Sequence, residues 1–352
     1  MLAAAVLTGR RTFLRSVSAA ATTAAVARWA AAGFAPAAEP AARVMTVSGP
    51  IDAADLGVTL PHEHVLVDFV GADKVRPDRY DAEEVLRTML PHLVRAREAG
   101  CRAMMECTPA YLGRDPKLLQ RLSKESGVRL VTNTGYYGAA KNKYLPDFAR
   151  EEDADALAAR WLAEWEDGID GTGVRPGFIK IGVDPGPLSE LHGKLVRAAA
   201  RTHRRSGLTI ACHTGDGKAA LEQLAVLKEE GVSPGAWVWV HANAERDPAV
   251  HVEAAKTGGW VEFDGVGPQD GGRHARLVLN LHRHGLLHRV LISQDAGWYN
   301  VGTPGGGNVR PYDYLLTRFL AALKESGLTD QDVRQLMVDN PREAFAVRAR
   351  TG

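Results

Sequence analysis

The chain has 352 residues, 45% of them hydrophobic and 24% charged, which is ordinary for a globular protein large enough to bury a sizeable core. A formal net charge of +1 leaves no broad basic surface and excludes a general nucleic-acid-binding role. The three cysteines, Cys101, Cys107 and Cys212, are odd in number; Cys107 and Cys212 sit in apolar runs, and buried thiols, not a disulfide framework, are expected.

The first segment reads as an address. Gly9-Arg10-Arg11-Thr12-Phe13-Leu14-Arg15 has the form of a twin-arginine export signal, followed by an alanine-rich stretch over 16–32 and small residues at Ala35-Pro36-Ala37. Residues 1–37 contain Arg10, Arg11, Arg15 and Arg28 and no acid, so the positive balance belongs to this leader. Arg28 interrupts the stretch and most of its apolar residues are alanine, so no stable membrane span is expected after processing. The expectation is a cleaved signal over 1–37, a periplasmic or secreted location reached by the twin-arginine route, and one catalytic body over 38–352.

From Val47 onward short β-rich runs alternate with longer amphipathic ones. The predicted strands are 58–67, 102–107, 129–134, 177–182, 208–213, 237–241, 260–263 and 290–294. The helical runs between and after them are 82–98, 116–125, 154–166, 188–205, 218–230, 248–256, 273–284 and 311–325. Strand–helix alternation of this kind predicts an α/β fold, a (β/α)8 TIM barrel. An open doubly wound sheet would want a glycine-rich turn after its first strand, and Pro61-His62-Glu63-His64 stands there instead. The glycine-rich 302–308 segment reads as a loop after the eighth strand, where barrels carry substrate loops.

The polar residues on these strands carry the chemistry. His62 and His64 are two apart on a strand, so both imidazoles project from one face and form a chelate. His282 and His284 have the same spacing in a helical run, where such positions diverge by about 200°, and read as a solvated face. Lys180 shares a strand face with Phe178; a lysine inside a barrel is costly unless paired or altered, and a neutral amine reacts with carbon dioxide to give an anionic carbamate. His213, His241 and Asp295 each end an apolar strand run, at the C-terminal rim where barrel enzymes place catalysis. Four imidazoles, a possible carbamate and a carboxylate suit two divalent ions: zinc, with cobalt, manganese or iron as alternatives.

These residues resemble the phosphotriesterase family of the amidohydrolase superfamily. The resemblance runs from about Met45 to Phe345 and rests on Gly57-Val58-Thr59-Leu60-Pro61-His62-Glu63-His64, Gly177-Phe178-Ile179-Lys180-Ile181-Gly182, His213-Thr214-Gly215, Val240-His241-Ala242-Asn243, Ser293-Gln294-Asp295 and Asn340-Pro341-Arg342-Glu343-Ala344-Phe345. It implies that His62, His64 and Asp295 bind the more buried metal, that His213 and His241 bind the more exposed one, and that carboxylated Lys180 bridges both. It implies a metal-bridging hydroxide acting on phosphotriesters, lactones or other carboxyl esters, Asp295 as general base, small-molecule substrates and a homodimer.

Two departures from the family pattern stand out. The position three residues after His241, an aspartate in many members, is Ala244, with Glu245 next; the arginine that lactonases carry just after strand seven is absent from Phe263-Asp264-Gly265-Val266. Tyr137, after strand three, and Trp298 and Tyr299, in the last loop, are the candidate substrate-binding residues. An amidase or deacylase acting on N-acyl compounds with the same site is the close alternative, and an exported metal-binding protein without turnover is the third.

Overall fold

The computed structural model describes residues 42–352; the leader expected at 1–37 lies outside them. The eight strand positions are β1 (Thr59–Val67), β2 (Ala103–Glu106), β3 (Arg129–Val131 and Asn133–Thr134), β4 (Phe178–Val183), β5 (Thr209–Thr214), β6 (Trp237–Val240), β7 (Trp260–Phe263) and β8 (Val290–Ile292 and Gly297–Asn300). Each pairs in parallel with its predecessor. The third and eighth come in two pieces that serve different neighbours: Arg129–Val131 pairs with β2 and Asn133–Thr134 with β4, while Val290–Ile292 pairs with β7 and Gly297–Asn300 returns to β1. Pairings β4 to β7 complete the circuit. The result is a closed, TIM-barrel-like α/β fold preceded by an antiparallel hairpin, Arg43–Thr46 with Gly49–Asp52.

Strand alternation divides the core in two. One face of the strands, with Met105, Val131, Phe178, Ala211, Val238, Val240 and Leu291, packs inside the barrel. The other face, with Met104, Leu130, Ile179, Ile181, Ile210 and Trp239, meets the helices outside. The lumen is closed at its N-terminal end by the terminal segment: the Phe345 ring sits 5.6 Å from Phe178, edge to face. Asn340 anchors that segment by donating from Nδ2 to the carbonyls of Leu287 and Val290 at 2.8 and 2.7 Å.

The helices form where they were expected because most begin on a side-chain cap. Asp81, Asp115, Asp153, Ser189, Asp216 and Asp247 each accept a backbone N–H from the first turn of the helix that follows. The predicted helical run 311–325 is helical from Tyr314 and differs in its first turns. It holds a widened turn at Leu315–Phe319 followed by a helix over Leu320–Glu325. Gln294 reaches into this region, accepting from Leu315 N at 2.8 Å and donating to the Tyr312 carbonyl at 2.6 Å. Among the described residues, no helix is long and apolar enough to cross a membrane.

Candidate metal centre and active-site cavity

The alternation that puts His62 and His64 on one face of β1 brings their ring centroids within 5.4 Å of each other. Lys180, 2% exposed, stands one step above Phe178 on the inner face of β4, with Nζ 3.4 Å from His62 Nε2. His213 comes from β5 and His241 from just beyond β6; their rings lie 4.4 Å apart, and His241 is 4.9 Å from His62. His241, Asp295 and Trp298 take left-handed backbone angles, with φ of 64°, 50° and 75°. Such angles cost roughly 1–3 kcal/mol each outside glycine and persist where the surroundings enforce them.

The surroundings do so at Asp295. Its own N–H donates to the His62 carbonyl at 3.1 Å. The amides on either side of it, of Gln294 and Ala296, donate to Glu63 Oε1 and Oε2 at 3.1 and 2.6 Å, and Ser293 Oγ donates to Oε1 at 2.8 Å. Glu63 sits between the two histidines in sequence but projects from the opposite face of β1. It thereby clamps the loop that carries Asp295. Burial pushes its carboxyl up to about 8, against the donors that favour the charged form.

Asp295 Oδ1 is 3.2 Å from His64 Nε2 and 3.7 Å from His62 Nε2, yet it is a buried oxygen with no hydrogen bond. Burial works to raise this carboxyl, but His64, His62 and His241 bring it down to about 2. His62 is brought to about 3, chiefly by burial, and His64 and His213 are also lowered by burial, so all three are neutral at pH 7. Neutral imidazoles beside an ionised carboxylate with an unmet oxygen are the protonation states a divalent cation requires. Donor atoms of His62, His64 and Asp295 all lie within 4.8 Å of one another, so this set fits such an ion.

Two acids, Glu262 in β7 and Asp264 just past its end, complete the surroundings. Asp264 Oδ1 is 2.8 Å from His241 Nδ1, and its Oδ2 accepts His241 N at 2.8 Å and lies 3.3 Å from His62 Nδ1. Glu262 Oε2 is 3.1 Å from the same His62 nitrogen. Asp264 is held well below the usual carboxylate range: burial would raise it, and His241 and His62 more than offset that. Burial and the Asp264 charge push Glu262 well above that range, so Glu262 carries the proton of the pair. His62, His241 and Asp264 also lie close enough to hold an ion. The hydrogen bond to His241 Nδ1 and the 3.3 Å contact with His62 Nδ1 argue instead that Asp264 orients the two rings from behind.

Above the cluster opens a cavity of about 420 Å³. Its lining includes all six residues of the expected ligand set, with Tyr137, Trp298, Phe69, Leu112, Tyr144 and Asn243. Tyr137 Oη is 2.9 Å from His213 Nδ1. The Trp298 ring lies 4.4 Å from His64 and stacks on Phe69 at 5.5 Å, while its Nε1 donates to the Asp295 carbonyl at 2.6 Å.

Residues 42–345 match the model of the phosphotriesterase family. The chain belongs to this family. Among curated relatives, the phosphotriesterase homology protein of Escherichia coli is 31% identical over 82% of this chain and 98% of its own length. The N-acetyltaurine hydrolase of Tetraodon nigroviridis is 27% identical over 86% of this chain and 97% of its own. Among solved structures, the organophosphorus hydrolase of Deinococcus radiodurans superposes with a TM-score of 0.78 at 28% identity, covering 87% of this chain and 98% of that one. This phosphotriesterase-family chain is therefore a hydrolase acting on small molecules.

The family pattern and this member differ in instructive ways. Tyr299 does not reach the cavity. Alternation turns it away from Trp298, it is 4% exposed, and its hydroxyl donates to Glu84 Oε1 at 2.9 Å. Glu245, beside the atypical Ala244, is not a substitute relay group: it accepts Gly217 N, Arg246 N and Asp247 N and so builds a turn. Asn243 is the residue of that stretch in the cavity, and its Oδ1 accepts Asp264 N at 3.1 Å. Asp264, Glu262, Glu63 and Asn243 were not singled out from sequence. Asp264 did carry a signal in its place just past the last residue of β7, near the rim that marked His213 and His241, although Glu262 interrupts the apolar run before it.

Proposed function

We propose that the chain is a binuclear metal-dependent hydrolase of uncharged esters, meaning phosphotriesters, lactones or other carboxyl esters. The observation that carries this reading is a cluster of imidazoles and one unmet carboxylate oxygen at the floor of a cavity whose other walls are mostly apolar. His62, His64 and Asp295 would hold one divalent cation, His213 and His241 a second, and Lys180, carboxylated by carbon dioxide, both. Zinc suits the donor set best, with cobalt, manganese or iron as alternatives. Bound there, the ions would supply an activated water at neutral pH and polarise the scissile oxygen.

The chain's own residues do the rest. Asp295, kept ionised, would take a proton from that water as general base. Tyr137 Oη stands where it can donate to a substrate oxygen. Phe69, Leu112, Tyr144 and Trp298 seat an apolar group and exclude water. Amide hydrolysis is the second reading, favoured by the N-acetyltaurine hydrolase relative. Among the described residues lining the cavity Lys180 is the one basic side chain besides the histidines, while Lys143 and Arg310 lie over the Tyr144 and Trp298 rings at 5.3 and 5.9 Å.

The test is a panel of paraoxon, γ- and δ-lactones, aryl esters and N-acyl amino acids on metal-replete protein, alongside metal analysis and intact mass. Two divalent ions, a carbon dioxide adduct on Lys180 and ester turnover are expected. Turnover confined to N-acyl compounds would move the assignment to the amidase, and failure to take up zinc or cobalt would overturn both. We also propose export by the twin-arginine route. Fusion of residues 1–37 to a reporter, with Arg10 and Arg11 replaced by lysine as control, tests it.

A further inference from the structure

Behind β1 and β2 two buried glutamates face each other in register, Glu63 and Glu106. The first clamps the Asp295 loop. The second leads elsewhere. Thr108 Oγ1 donates to Glu106 Oε1 at 2.6 Å, and Thr108 Oγ1 is also 2.8 Å from His64 Nδ1. Glu106 takes two backbone donors as well, Val65 N at 3.1 Å and Thr108 N at 3.3 Å, so its oxygens face only donors. His64, Thr108 and Glu106 are all buried.

Proton counting sets the direction of this chain. A hydroxyl has one hydrogen to give and lone pairs to accept with. Burial pushes the Glu106 carboxyl up to about 7, but Val65 N, Thr108 N and the Thr108 hydroxyl all favour its ionised form, which can only accept, so the Thr108 hydrogen goes to Glu106. The Thr108 oxygen is then left as an acceptor toward His64, whose Nδ1 must carry the hydrogen. A neutral imidazole protonated at Nδ1 has a bare Nε2. Nε2 is the atom that faces Asp295 Oδ1, at 3.2 Å.

We propose that Thr108, itself oriented by Glu106, is a positioning residue that fixes His64 in the Nδ1-protonated tautomer and so presents Nε2 as a donor to a divalent cation. The inference rests on the reading of the cluster as a metal site, and it adds what neither the strand pattern nor the family match assigns: the group that sets one ligand's tautomer. Both residues are placed by the end of β2, where Asn133 Nδ2 donates to the carbonyls of Glu106 and Thr108 at 3.0 Å each.

The experiment has two readouts. Nitrogen-15 NMR of the metal-free, unsubstituted protein should show His64 as the Nδ1–H tautomer. Competition with a chromophoric chelator should then show Thr108→Val binding one equivalent of cobalt or zinc roughly 10–100-fold more weakly than wild type. Thr108→Ser, which restores the hydroxyl, should stay close to wild type. Glu106→Gln can donate an amide hydrogen to Thr108, which frees the hydroxyl to point at Nδ1, so the Nε2–H form should appear. An Nε2–H tautomer in the wild type would overturn the proposal, as would Thr108→Val binding both equivalents with unchanged affinity. If the wild type takes up no divalent ion, the metal reading fails, while the NMR arm still decides the tautomer. That arm needs no variant, so a Thr108→Val protein that does not fold leaves the proposal open to refutation.

Discussion

Asp264 is joined to His241 twice, through the ring Nδ1 at 2.8 Å and through the backbone N–H at 2.8 Å. The pair explains how His241 keeps a left-handed φ of 64° at the end of β6. The same carboxylate reaches His62 Nδ1 at 3.3 Å, so one acid orients an imidazole from each of the two proposed ion positions. Asp264→Asn keeps the shape but turns one acceptor into a donor. It should weaken metal binding and kcat/KM by about 10–100-fold. Metal titration of the variant checks this, and unchanged affinity would show that Asp264 merely packs.

The metal-free protein should lose stability as pH falls below neutrality. His62 is brought from 6.5 to about 3 in the folded state, chiefly by burial. Between those values the unfolded chain binds a proton that the folded chain refuses, so stability rises with pH across the window and is lost on acidification. The upper bound for this one group is about 5 kcal/mol, at roughly 1.4 kcal/mol per unit of pKa. Urea denaturation of the metal-free protein at pH 7, 6, 5 and 4 measures the slope. His62→Gln, which cannot titrate, should flatten it.

The barrel and the gathering of the six candidate ligands around one cavity were legible because both are written in spacing. A two-residue period put His62 with His64 and Lys180 with Phe178, and the ends of apolar runs marked His213, His241 and Asp295. What lay beyond reach depends on side chains meeting across the barrel. Glu63 looked like the residue between two ligands, and only the return of the last strand to β1 shows that it holds the Asp295 loop. Asp264 ends its strand as His241 does, but an acid behind two imidazoles leaves no periodic trace. Tyr299 was misplaced because the segment after Asp295 read as loop, whereas Gly297–Asn300 is a strand and turns neighbours to opposite sides.

Gly297 is where that strand meets β1, and it should not tolerate a side chain. Its φ is 90°, and a Cβ would fall on the His64 carbonyl oxygen and the Tyr312 hydroxyl. That hydroxyl already donates to the same carbonyl at 2.6 Å. Gly297→Ala combines a left-handed penalty with overpacking and should cost about 2–4 kcal/mol. Thermal melting is the check, and an unshifted midpoint would mean that the Asp295 loop can move aside.

Trp298 separates two roles that one residue plays in the cavity. Its ring covers His64 and stacks on Phe69, while its indole N–H holds the Asp295 carbonyl. Trp298→Phe keeps an aromatic surface and loses only the hydrogen bond, so its effect should fall on kcat, by a few-fold to about 10-fold. Trp298→Ala also removes the apolar wall, worth roughly 1.5–3 kcal/mol for a buried group, and should raise KM for aryl or long-chain esters by about 10–100-fold. Small esters that never reach the wall should be spared that second loss. Steady-state kinetics on a short and a long ester with both variants decides the matter. A KM increase equal for the two substrates would remove Trp298 from the apolar pocket.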